Sequence, residues 1–189
     1  MPPNSTDPRI RRTRHLLQQA LANLLATREF DKISIQEIAD AATVNRVTFY
    51  DHYADKFALL DDMVATRCHD LITQRGITFD CSTALTGIVQ ALCDFLTSTP
   101  GPSCPSQQME PHLESAVIRV VRTMLLDGIQ RHPVPGVAPG MLASTVAWAM
   151  FGAVKEWFCT PNHGPSSEIV ATVVHLIDPL MHVQLPSPQ

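Results

Sequence analysis

The chain has 189 residues, of which 45% are hydrophobic and 17% charged, with a formal charge of −4. These values fit one compact domain or a small domain fused to a larger one, and they disfavour disorder over most of the length. They also argue against a protein coated in nucleic acid, although the charge is uneven. Ten Lys and Arg and ten Asp and Glu precede position 76, so that segment is neutral and the remainder carries the net −4.

Between clusters of proline the periodicity is helical throughout, with no convincing alternating strand, so the expected fold class is all-α. Asp7 followed by Pro8 predicts an N-cap with proline at the first helical position. The helix that follows presents Ile10, Leu17, Leu21 and Leu24 on one side. Within it Arg9, Arg11, Arg12 and Arg14 fall in six residues, which is either a local basic footprint or a solvated helix start. After a break at Phe30-Asp31-Lys32, Ser34-Ile35-Gln36-Glu37 matches a capping box, predicting a short helix to about Ala42. A tight break at Thr43-Val44 leads to a third short helix from near Asn45. Ala54-Asp55 interrupts it before a longer helix carrying Phe57, Leu60, Met63 and Val64. Two short helices joined by such a turn make a helix-turn-helix. Longer helices are expected at roughly 82–98, 111–131, 140–159 and 167–182, with Pro179 kinking or ending the last.

On the third helix, 100° per residue puts Phe49 and Tyr53 on one face, toward Ile38 and the first helix. Val47 and Asp51 then point outward, with Thr48 and Tyr50 on the flanks and Arg46 at the border. A helix crested by a small valine can lie deep in a major groove, where its methyls meet a thymine methyl. Thr48 can bond a base edge or phosphate there, and Arg46 can pair with guanine. Tyr50 and Lys56 are placed to reach phosphates, Lys56 beside the N-terminus of the next helix. The alternative is an ordinary helical corner with aromatics in the core and polar groups in water.

Residues 10–60, with the R-T-R opening, the F-D-K-I-S-I turn, I-A-D-A-A, T-F-Y-D-H-Y and D-K-F-A-L-L, resemble the DNA-binding domain of the TetR family of transcriptional regulators. The resemblance implies an N-terminal arm and helix-turn-helix domain over 1–55 and a helical effector-binding and dimerisation domain over 56–189. It implies a recognition helix at about 45–51, with Ser34, Tyr50 and Lys56 on the phosphate backbone and Arg46, Val47 and Thr48 near bases. Asn45 belongs to the same DNA-binding set, and His52 is read as orienting the helix. In the turn, where many members have glycine, this chain has Thr43. A β-branched residue at positive φ there costs about 1–3 kcal/mol, unless the turn closes differently.

In the second domain, Ala143, Ala147, Ala149, Gly152 and Ala153 make the 140–159 helix slim. The 167–182 helix is expected to be apolar on two faces, Ile169, Val173, Ile177 and Leu180 on one and Val170, Val174 and Met181 on the other. One face suits the core and the other a second copy, giving a homodimer through these two helices. Two recognition helices roughly 34–36 Å apart would then read an inverted repeat. By residue type, Phe95, Met124, Trp148, Phe151 and Trp157 are candidates for an effector pocket, although such residues at helical spacing also make plain core.

Five cysteines, Cys68, Cys81, Cys93, Cys104 and Cys159, with no C-x-x-C pair, indicate neither a disulfide framework nor a zinc ribbon. No secretory apolar stretch follows the N-terminal arginines, and the apolar run 141–154 is too short to span a bilayer. The expectation is a soluble, reduced, cytoplasmic protein with no metal, cofactor or membrane partner. Phosphate-loop, G-x-S-x-G and H-E-x-x-H motifs are absent from the sequence, which argues against an enzyme. The reading is a repressor released from DNA by a small-molecule effector. Its competitor is a helical adaptor that acts through protein contacts alone.

Overall fold

Side-chain caps set the starts of the first three α-helices. The structure, a computed structural model, describes residues 7–76, 83–98 and 109–182. Helix α1 spans Pro8–Leu25, with the Asp7 carboxylate accepting from the Arg9 N–H and proline in the first turn. Its buried stripe is Leu17, Ala20 and Leu21, while Ile10 and Leu24 at its margins are only half-buried. A single 3-10 turn, Phe30–Lys32, leads to α2, Ile35–Ala41. Ser34 and Glu37 form the expected capping box, each side chain accepting from the other's backbone N–H.

Helix α3, Arg46–His52, starts at Asn45, whose side chain accepts from the Val47 N–H at 3.0 Å. Helix α4 runs Lys56–Gln74. The remaining helices are α5 (Thr83–Thr97), α6 (Glu110–Arg131), α7 (Pro139–Cys159) and α8 (Ser166–Met181), each within two residues of its expected span. Pro179 lies in the last turn of α8, which stops two residues later. Among the described residues there is no strand, and no helix is long and apolar enough to cross a membrane.

The described residues group into two compact units, and the division falls inside α4 rather than before it. The first unit runs to Val64 and includes the start of α6 as far as Leu113; the second takes Ala65 onward and α6 from Glu114. In the first, α1, α2 and α3 pack on one another around Leu17, Leu21, Ile38 and Phe49, all fully buried. Phe49 alone is worth about 3–5 kcal/mol to this core, judged by truncation to alanine.

In the second unit α5, α7 and α8 pack together. Helix α7 turns Leu142, Ala143, Val146, Ala147, Met150, Phe151 and Val154 inward. Helix α8 buries a single stripe, Val170, Val173 and Ile177, rather than one of two separate apolar faces. Residues at 170, 173 and 177 share one side of a helix, so the expected two sets divide across it. Polar ties join the helices: Arg122 to Ser144 at 2.8 Å, Lys155 to Glu114 at 3.3 Å and Gln90 to Ser166 at 3.2 Å.

Cysteine usage departs from the expectation. Cys68 and Cys93 are free and buried, but Cys159, at the end of α7, is disulfide-bonded. Its partner lies outside the described residues, as do Cys81 and Cys104. Five cysteines, an odd number with no C-x-x-C pair, carry no sequence sign of a bridge.

Candidate nucleic-acid interface

The turn between α2 and α3 closes in a Schellman arrangement. The Thr43 N–H donates to the Asp40 carbonyl at 3.0 Å and the Val44 N–H reaches back to the Ala39 carbonyl at 2.9 Å. This geometry requires a left-handed residue, and Thr43 supplies it at φ 57°. The turn therefore closes in the way glycine would allow, and threonine carries the strain.

That turn delivers α3 with its expected polarity. Phe49 and Tyr53 are buried, at 0% and 4% exposure, while Val47 stands 66% exposed and Tyr50 46%. Arg46 is exposed beside Tyr50, donating to its hydroxyl at 3.2 Å with the guanidinium over the ring. Asp51 points to solvent, and Thr48 and His52 are half-buried on the flanks. The outward surface thus carries one apolar crest, a cation and two hydroxyl groups on two helical turns. That is a set able to meet base edges and phosphates in a groove.

Three residues of the expected DNA-binding set are also occupied within the chain. Ser34 accepts from the Glu37 N–H at 3.2 Å and donates its hydroxyl to that carboxylate at 2.7 Å. Asn45 caps α3 as described. Lys56 turns its ammonium toward the 3-10 turn, donating to the carbonyls of Phe30 (3.0 Å), Asp31 (3.3 Å) and Ile33 (2.9 Å). It also lies over the Phe30 ring at 4.6 Å. All three of its protons have internal acceptors, so reaching a phosphate requires giving up at least one of these bonds.

A buried-edge network behind α3 escaped the sequence reading. The Tyr53 hydroxyl donates to Asp62 Oδ2 at 2.5 Å. Gln18 donates to the same oxygen at 2.9 Å, and Arg14 Nε lies 3.5 Å from it. Arg14 also donates to the Tyr53 oxygen at 3.3 Å. Burial, reinforced by the Asp62 carboxylate, pushes the Tyr53 phenol well above its usual range and keeps it a donor. A second tie joins the turn after α1 to α2: Arg28 pairs with Glu37 and donates to the Lys32 carbonyl at 2.9 Å. The Arg14–Tyr53 and Gln18–Asp62 partners lie 39 and 44 residues apart in sequence, and no local motif announces them.

The effector-pocket candidates differ in exposure and partners. Phe95 and Phe151 are buried in the second unit's core, and Met124 is half-buried on α6. The Trp157 indole donates to the Gly164 carbonyl at 2.9 Å and packs on His163 in the following loop. Trp148 is 55% exposed on the outer face of α7. It shares that face with Met141, Thr145, Ala149 and Gly152.

Comparison with known proteins agrees with this geometry. Residues 17–63 match the family described as bacterial regulatory proteins, tetR family. That segment is a TetR-family helix-turn-helix domain. The HTH-type transcriptional regulator YxbF of Bacillus subtilis (strain 168) is 40% identical over 67 residues, 35% of this chain. The match spans only 18% of that relative's length. Solved structures share the fold of nearly the whole chain. RolR, crystallised with the ligand resorcinol, aligns with a TM-score of 0.60 at 16% identity, covering 95% of this chain and 97% of its own. A tetR-family regulator from Streptomyces coelicolor aligns at 0.57 and 19% identity, covering 89% and 79%. The dihydroxyacetone kinase operon activator DhaS aligns at 0.58 and 15% identity, covering 89% and 96%.

Proposed function

We propose that this chain is a transcriptional regulator that binds an inverted-repeat operator as a homodimer, represses from it, and is released by a small-molecule effector. The observation that carries the DNA-binding part is the outward face of α3. Val47, Arg46 and Tyr50 are presented to solvent on a helix whose other side is locked into the core by Phe49 and Tyr53. Thr48 and Val47 read bases, and Tyr50 and the basic start of α1 hold the backbone.

Dimerisation is supported by the second unit. The outer faces of α7 and α8 expose Met141 (67%), Trp148 (55%) and Leu176 (67%). Between them stand small residues, and a Cβ added at Gly152 would meet nothing within 4 Å. A slim, apolar, uncovered surface of this kind suits close packing of α7 and α8 against their symmetry copies. Trp148 accordingly belongs to this contact rather than to an effector pocket.

Effector release is the inference that RolR's ligand, resorcinol, suggests for a chain of the same fold. An effector held in the second unit shifts α4, which continues into the first unit, and so changes the spacing of the recognition helices. Linkage requires the effector to bind operator-bound protein more weakly than free protein, by the factor through which it weakens DNA binding.

Selection of a random duplex pool with purified protein tests the reading directly. An enriched inverted repeat is the expected result. Failure to enrich any sequence with a folded dimer would leave the adaptor reading in its place. In light scattering the protein should run as a dimer, and Trp148→Glu with Leu176→Glu should run as a folded monomer.

A further inference from the structure

We infer that Asp62 is a positioning residue for the DNA-reading helix, acting through Tyr53 and Arg14 without touching DNA. The inference rests on the DNA-binding reading and specifies how α4 governs α3. Helix α3 has seven residues, too few to hold its own direction, so the buried Phe49 and the two ends fix it. The N-terminal end is held locally by Asn45. The C-terminal end is Tyr53, in extended backbone at φ −141°, with its N–H on the Phe49 carbonyl at 2.9 Å.

The buried Tyr53 ring contacts Phe49 at 6.0 Å between centroids. Its hydroxyl emerges among polar groups, where Asp62 Oδ2 takes its proton at 2.5 Å. Asp62 sits on the second turn of α4, while Arg14 and Gln18 come from α1. Two donors, the Tyr53 hydroxyl and the Gln18 amide, therefore converge on one carboxylate oxygen, with the Arg14 guanidinium as its counter-charge at 3.5 Å. A charge-assisted hydrogen bond is short and directional, so sliding α4 by about an ångström breaks it or drags Tyr53 along. Val47, Thr48 and Arg46 lie on the same two-turn helix and move with its C-terminal anchor. The pair thus converts a displacement of α4 into a change in the aim of α3.

Asp62→Asn keeps the shape but removes the charge that Arg14 faces and puts an amide donor among donors. Tyr53→Phe keeps the buried ring and removes only the hydroxyl. Two readouts separate positioning from bulk stability. In the free protein, hydrogen exchange at the amides of Phe49 to Tyr53 should rise about tenfold in either variant, with α2 amides unchanged. On a duplex selected by the wild type, affinity should fall about tenfold with the salt slope unchanged, because no phosphate contact is lost. The double variant should bind no more weakly than the weaker single one, because both changes cut the same link. Unaltered exchange and affinity in Tyr53→Phe would overturn the inference, even should Asp62→Asn fail to fold. Additive losses, or a shallower salt slope, would overturn it as well. If the wild type retained no duplex the DNA-binding reading would fall, and the exchange experiment would still decide whether Asp62 holds α3.

Discussion

Replacing Lys56 with methionine separates two roles that this side chain could play. Methionine keeps the length and apolar stem, so the loss reports on the ammonium alone. In the folded chain that ammonium satisfies the carbonyls of Phe30, Asp31 and Ile33 at 2.9–3.3 Å and lies on the Phe30 ring. Hydrogen bonds to a charged group contribute about 1.5–3 kcal/mol, and three to one centre are not independent. The cation–π contact adds roughly 0.5–1 kcal/mol, and partial exposure of the site offsets part of the sum. A net loss of about 2 kcal/mol is expected, which lowers the urea midpoint by about 1 M for a slope near 2 kcal/mol/M. Each phosphate contact contributes about 0.9 to the slope of log affinity against log salt, so a clamp role leaves that slope intact in Lys56→Met. Chemical denaturation and a salt titration on one selected duplex measure both quantities. An unchanged midpoint with a slope shallower by about 0.9 per subunit would refute the clamp and assign the ammonium to phosphate.

Thr43→Gly removes a side chain from a left-handed position and should raise stability by about 1 kcal/mol, seen as a higher urea midpoint; a lower midpoint would mean the threonine contributes contacts that outweigh its strain. Glu37 is held down to about 2, first by the Arg28 hydrogen bond and then by the Ser34 N–H and hydroxyl. A depressed carboxyl stabilises above its unfolded value and loses that contribution as it is protonated, so wild-type stability should fall more steeply than that of Glu37→Gln between pH 4.5 and about 2. Equal pH slopes would count against the α2 cap. Burial pushes the Cys68 and Cys93 thiols up to about 12 and about 11, so in native protein at pH 8 both should alkylate far more slowly than in urea, by mass spectrometry. Val47→Ala should change the sequence recovered from a random pool while leaving α3 folded, and an unchanged consensus would remove Val47 from base reading.

The starts of α1, α2 and α3 and the aim of α3 were legible in the chain itself, because their causes are local. Asp7, Ser34 with Glu37, and Asn45 act on backbone groups two or three residues away, and Phe49 and Tyr53 are placed inward by helical period alone. Even the strain at Thr43 followed from the turn's demand for a left-handed residue.

Tertiary structure alone decided which polar groups near the interface are already engaged. The inward turn of Lys56 spans 23 to 26 residues of sequence, and the Arg14–Tyr53 and Gln18–Asp62 bonds span 39 and 44. The same holds for the outward stance of Trp148, the bonded state of Cys159 and the division of the chain within α4. A cap is specified by its neighbours in the chain. A hydrogen bond across helices depends on packing angles set by the whole core, to which no single residue testifies.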